Sequence, residues 1–135
     1  WDRWEEEPVK KVDETLSFYQ LDDVEFLRQM AGCRAYASTA GFESVCEAMY
    51  LGKPLMMVPA HIEQECNAFD AIRSGAGIMD ENFDLGKWLD FAENYQPDTR
   101  FAAWVQSAEY MILNELETLV PGHCMQQMYM VEEFV

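Results

Sequence analysis

Apolar positions in the first 79 residues follow two alternating rhythms, one of period two and one of helical period. "TLSFYQL" (15–21) alternates in character and reads as a strand. In "DDVEFLRQMAGC", Val24, Phe26, Leu27 and Met30 form a helical stripe. Asp22 or Asp23 can cap that helix, Glu25 falls in its first turn, and Gly32 ends it. "RAYAS" is a short strand candidate. The next helix runs from about Phe42 to Leu51 and buries Val45, Ala48, Met49 and Cys46. Gly52 stops it as a C′ glycine, with Pro54 just beyond. "LMMVP" is a continuous apolar run, as expected of a parallel strand covered on both faces. "EQECNAFDAIRSG" is a third helix ending at Gly75, and "AGIM" another short strand. This alternation predicts an α/β fold: a Rossmann-like parallel sheet with flanking helices and right-handed crossovers.

The rhythm changes after residue 79. "FDLGKWLDFAENY" reads as a helix broken by Pro97. "DTRFAAWVQSAEYMILNELETLV" then sets Phe101, Trp104, Val105, Ala108, Met111, Ile112, Leu116 and Leu119 at helical spacing. Pro121-Gly122 ends that helix, and a Met-rich helix closes the chain. These stripes are most simply core, or they dock on a domain absent here. The expected organisation is a charged loop or frayed edge over 1–14, a partial α/β domain over 15–79, and helices over 80–135 packing on the same domain. The chain opens on Trp1 and reads as a piece of something longer.

Composition narrows the partners. A length of 135 residues suits one core, and half the residues are apolar, which excludes a disordered tail. Nine Lys and Arg face 25 Asp and Glu, for a formal net charge of −16. Nucleic acid and anionic membrane faces are therefore poor main partners. A small anionic ligand is not excluded, because charges beyond about 8 Å are screened and local donors decide. Cys33, Cys46, Cys66 and Cys124 form no C-x-x-C pair and no zinc spacing. They read as reduced core thiols of a cytoplasmic protein. No apolar run reaches membrane-spanning length, and no signal-peptide pattern is seen.

Candidate chemistry concentrates in "STAGFESVCEAMYLGKP", residues 38–54. The phosphates of a nucleotide diphosphate want backbone N–H donors and the positive end of a helix. Gly41, read as a tight turn without a Cβ, would let the backbone approach them closely. Ser38, Thr39 and Ser44 offer hydroxyls, and Glu47 is placed to accept from both hydroxyls of a ribose. Strand–Gly–helix–Gly–Pro–strand is also plain α/β architecture, and Glu43 and Glu47 could be a solvated face. A second stretch, "VPAHIEQECNA", follows the next strand with Glu63, Gln64 and Asn67. Two polar edges on neighbouring strands then converge on one crevice. Glu43 reads as a helix-dipole partner or surface charge. His61 either touches a ligand or simply ends a strand, and His123 has no evident partner.

Residues 38–78 resemble the donor-binding half of GT-B glycosyltransferases, of the family 28 or UDP-glycosyltransferase type. The matching positions are Ser44, Glu47, Ala48, Gly52, Pro54, Pro59, Glu63, Gln64, Asn67, Ala68, Gly75 and Gly77. The resemblance implies that the Thr39-Ala40-Gly41 turn and Ser44 face the pyrophosphate. It implies that Glu47 holds the ribose, that Glu63 and Gln64 contact the transferred sugar, and that Tyr19, Gln20 and Leu21 meet the base. Many relatives carry His where Thr39 stands, whereas bacterial lipid-linked GlcNAc transferases do not. Retaining members pair the E-A glutamate with a second Glu, and its place here is held by Thr39, so the inverting branch is favoured. No D-x-D metal signature occurs. The implied reaction is metal-independent displacement at the anomeric carbon of a nucleotide-diphosphate sugar, UDP-sugar first, by an acceptor hydroxyl. No cofactor is implied. The general base is expected from an N-terminal acceptor domain that is missing, so the piece alone should be inactive. The competing expectations are a sugar-nucleotide 2-epimerase of the same fold and a non-catalytic acidic interaction module.

Overall fold

The computed structural model describes residues 8–119. Residues 1–7 of the expected charged loop, His123, Cys124 and the Met-rich helix near the end lie outside the described residues. The chain divides into two units, Trp1–Asp98 and Thr99–Val135.

The first unit holds β1 (Val9–Lys11), β2 (Ser17–Tyr19), α1 (Asp23–Gly32), β3 (Tyr36–Ser38), α2 (Phe42–Tyr50), β4 (Leu55–Met57), α3 (Ile62–Arg73), β5 (Gly77–Met79) and α4 (Leu85–Asn94). Strands β3, β4 and β5 form the parallel sheet in that order, with Tyr36 opposite Leu55 and Leu55 opposite Gly77. The α/β parallel sheet with flanking helices is thus observed. The strand within 15–21 also forms, but it pairs antiparallel with β1 and stands outside the parallel sheet. Residues 9–11, expected as loop or frayed edge, form the partner strand. The turn between them is organised by Asp13, whose Oδ1 accepts from Thr15 N, Thr15 Oγ1 and Leu16 N at 2.7, 2.8 and 2.9 Å. Those bonds favour the ionised carboxyl and lower its pKa. β1 was invisible to apolar patterning because all three of its residues are exposed.

The apolar run of β4 is the centre of the fold. Leu55, Met56 and Met57 are fully buried. Leu55 and Met57 pack with Met30 of α1, Val45 and Ala48 of α2, and Ala68 and Ala71 of α3. Met56 has the opposite parity and so serves the other face of the sheet. α4 packs against β4 and β5. Gly77 is required by close approach: a Cβ there would lie 2.6 Å from Leu55 Cβ and 2.7 Å from the Leu55 carbonyl oxygen. α2 ends as expected at Gly52, which has a φ of 64° and leaves Lys53 N to bond Ala48 O at 2.8 Å. This is the six-to-one bond of a Schellman stop.

The cysteines depart from the expected core positions. Cys33 and Cys46 are half-buried and Cys66 is exposed, all as free thiols. Burial raises the pKa of the Cys46 thiol, with the Glu47 charge adding to the effect. Small alanines take the inner positions instead. In the second unit, α5 (Thr99–Leu119) has no buried residue, and Trp104, Met111, Ile112, Leu116 and Leu119 of its apolar stripe are exposed.

Candidate functional site

The carboxyl end of β3 runs straight into the bend that opens α2. Ser38 Oγ accepts from Ala40 N at 3.1 Å. Ala40, not Gly41, carries the left-handed backbone, with a φ of 66° and no exposed surface. Gly41 is extended at φ −60° and ψ 139° and serves as the N-cap without a side-chain cap bond. A Cβ on Gly41 would meet only Ser44 Oγ, at 3.8 Å. The tight turn expected of Gly41 is therefore made one residue earlier. The bare Gly41 instead leaves the first amides of α2 uncapped and open to an anion. Ser44 Oγ donates back to Gly41 O at 3.1 Å, so its proton is engaged within the bend.

A cleft of about 640 Å³ lies beside this helix start. Tyr19, Gln20 and Leu21 line it from the β2–α1 loop, and Glu43, Ser44 and Glu47 line it from α2. Asp22, Asp23, Glu25, Phe26 and Gln29 complete the wall from the α1 side. Two stretches separated in the chain, 19–29 and 43–47, thus meet in one hollow. Glu47 is half-buried and makes no ion pair among the described residues, so its carboxylate is available as an acceptor.

The second polar edge is tied to the bend rather than to the cleft wall. Gln64 Nε2 donates to Thr39 Oγ1 at 3.2 Å, while Gln64 Oε1 accepts from Ala60 N at 2.9 Å. Asn67 Nδ2 donates to Ala40 O at 3.0 Å and so clamps the left-handed residue. The bend and the start of α3 stand at the same edge of the sheet. Glu63 and His61 are exposed there, His61 as an N-cap without a side-chain bond. Thr39, Ala40, Gly41, Glu63 and Gln64 do not line the cleft itself.

The acidic α1 side of the cleft was missed as part of a site. Its signal was the Asp22-Asp23-x-Glu25 run, read only as a helix start. Asp22 Oδ1 does cap α1, accepting from Glu25 N at 2.7 Å. Glu25 is held by Arg28 through bonds of 2.8 and 2.7 Å and by Gln29 at 2.6 Å. The Arg28 hydrogen bonds, with those of Gln29, lower its pKa to about 2. Among the described residues, no cluster of His, Cys, Asp or Glu is arranged to hold a metal ion.

A family model described as glycosyl transferase family 1 matches residues 5–95, more than half of the 135-residue chain. The chain belongs to glycosyl transferase family 1. The match runs from β1 through α4 and includes every residue of the cleft and the bend. It supports a GT-B glycosyltransferase domain, and such a domain implies a nucleotide-sugar donor. No curated protein and no solved structure gave a significant match. Among the described residues, no helix of this family 1 chain is long and apolar enough to cross a membrane.

Proposed function

We propose that this chain is the donor-binding part of an inverting, metal-independent glycosyltransferase that takes a UDP-sugar and passes its hexose to an acceptor hydroxyl. The observation that carries the reading is the cleft, which brings the 19–21 loop, Ser44 and Glu47 together beside an uncapped helix start. The base lies against Tyr19, Gln20 and Leu21. Glu47 accepts from the ribose hydroxyls. The diphosphate sits over the first amides of α2, next to Thr39, Ala40, Gly41 and Ser44. The sugar reaches toward Glu63 and Gln64 at the start of α3.

The chemistry follows from this placement. An acceptor oxygen attacks the anomeric carbon as the bond to the diphosphate oxygen breaks. Negative charge then builds on the departing diphosphate, where aligned N–H groups at a helix start stabilise it. The acceptor must lose its proton to a base, which this reading places in an acceptor domain outside the chain. Alone, the chain is expected to bind donor weakly and not to turn it over.

Isothermal titration of UDP into the wild-type chain and its Glu47→Ala variant tests the reading. Loss of the two ribose bonds is expected to weaken binding about tenfold, or about 1.4 kcal/mol. Equal affinity in the two proteins, or no heat in either, would count against it.

A further inference from the structure

α3 presents two faces, and only one is occupied. Gln64, Asn67, Ala68 and Ala71 point to the bend and the core. Ile62, Glu65, Cys66, Phe69 and Asp70 recur at helical spacing on the other side and line a second hollow of about 910 Å³. Across from them, Pro59 and Met79 come from the carboxyl ends of β4 and β5, followed by Asp80 and Glu81. The apolar members are unusually open: Ile62 is 72%, Phe69 59% and Met79 44% exposed. Such a stripe usually marks a face that something covers.

Charge identifies what would cover it. Of the four carboxylates around the hollow, Asp80 is paired with Lys87 at 2.5 Å. Glu65, Asp70 and Glu81 hold no ion pair among the described residues. The other nearby cation, Arg73, already leans on the Phe69 ring, 5.7 Å from its centroid. That contact shows the ring accepting a guanidinium by its face. We propose that this groove docks a basic amphipathic segment of a partner protein, with apolar side chains seated on Ile62, Phe69 and Met79 and Lys or Arg set against Glu65, Asp70 and Glu81. A second copy of this chain is disfavoured, because it would bring another net charge of −16. An anionic membrane is disfavoured for the same reason. The proposal uses no residue assigned to the donor, so it stands or falls separately from the glycosyl-transfer reading.

The test uses a fluorescein-labelled helix-forming peptide of about 14 residues, with leucines on one face and lysines elsewhere, followed by anisotropy. Saturable binding of one peptide per chain is expected. The Ile62→Ser/Phe69→Ser variant should weaken it about tenfold or more. Glu65→Gln/Asp70→Asn/Glu81→Gln should weaken it and flatten its salt dependence. A control, Glu109→Gln/Glu115→Gln/Glu117→Gln on α5, removes the same charge and should leave affinity within about twofold. All substitutions are at exposed positions, and circular dichroism melts confirm folding. Any of the following results would overturn the proposal. One is equal loss in the α5 control, which would mean general attraction to an acidic chain. Another is equal binding of a leucine–glutamate peptide, or no saturable binding at all. A third is self-association in sedimentation that the Ile62/Phe69 variant abolishes, making a second copy the occupant. The last is binding to phosphatidylcholine vesicles that the same variant abolishes.

Discussion

Ala40 sits in a backbone region that favours glycine, and its neighbour Gly41 does not. Patterning pointed to the glycine because sequence shows residue types, not φ angles. It placed Ser44, Glu47 and the 19–21 loop near one another through the family resemblance, and the cleft does bring them together. It could not show that Asn67 clamps Ala40 or that Arg28 neutralises Glu25, since those bonds depend on side-chain geometry. Two predictions belong at this scale. Gly77→Ala drives a methyl group into Leu55 and should destabilise the chain by about 1–3 kcal/mol, read from urea midpoints. The second concerns pH. The pKa of Glu25 is lowered from 4.5 to about 2, so its contribution to stability is complete above about pH 4.5 and is lost as pH falls through about 2. In Arg28→Ala the Glu25 carboxyl should titrate higher by NMR, toward but still below its ordinary value because Gln29 continues to donate to it, and the urea midpoint should lose part of its slope across that window. An unchanged Glu25 titration would show that the Arg28 pair does not set it.

Elements were legible where burial imposed a period. β4 announced itself as an unbroken apolar run, α1 and α2 showed apolar stripes, Asp22 caps α1 as expected, and Gly52 and Gly75 stop α2 and α3 in left-handed backbone. β1 gave no signal because nothing in it is buried; the Asp13 turn and its pairing with β2 define it. The joint between elements was equally hidden. Lys53, just past the α2 stop, donates from Nζ to Ala31 O at 2.7 Å and Cys33 O at 3.0 Å, satisfying carbonyls at the end of α1. It fastens α1, which lines the cleft, to the turn before β4. Lys53→Met should cost about 1–2 kcal/mol in urea unfolding. It should also weaken UDP binding, because the α1 wall loses its anchor. A variant with wild-type stability would show these bonds to be incidental.

At the scale of the molecule, the proposed function asks a chain of net charge −16 to hold an anion. The cleft adds Asp22, Asp23, Glu43 and Glu47 to that field, with only Glu25 matched by Arg28. Attraction must therefore come from short-range amide and hydroxyl contacts, against a long-range repulsion that salt screens. Raising ionic strength from about 0.01 M to about 0.15 M shortens the screening length from about 30 Å to about 8 Å, so affinity for UDP should rise rather than fall. A steep fall would point to a basic site elsewhere. The most direct test of the cleft is to titrate UDP into the isotope-labelled chain and follow backbone amide shifts. The largest changes are expected at Phe42, Glu43 and Ser44 and at Gln20 and Leu21, and Glu47→Gln should suppress them. Shifts centred away from α2 and the 19–21 loop, or shifts that survive Glu47→Gln at full affinity, would contradict the assignment.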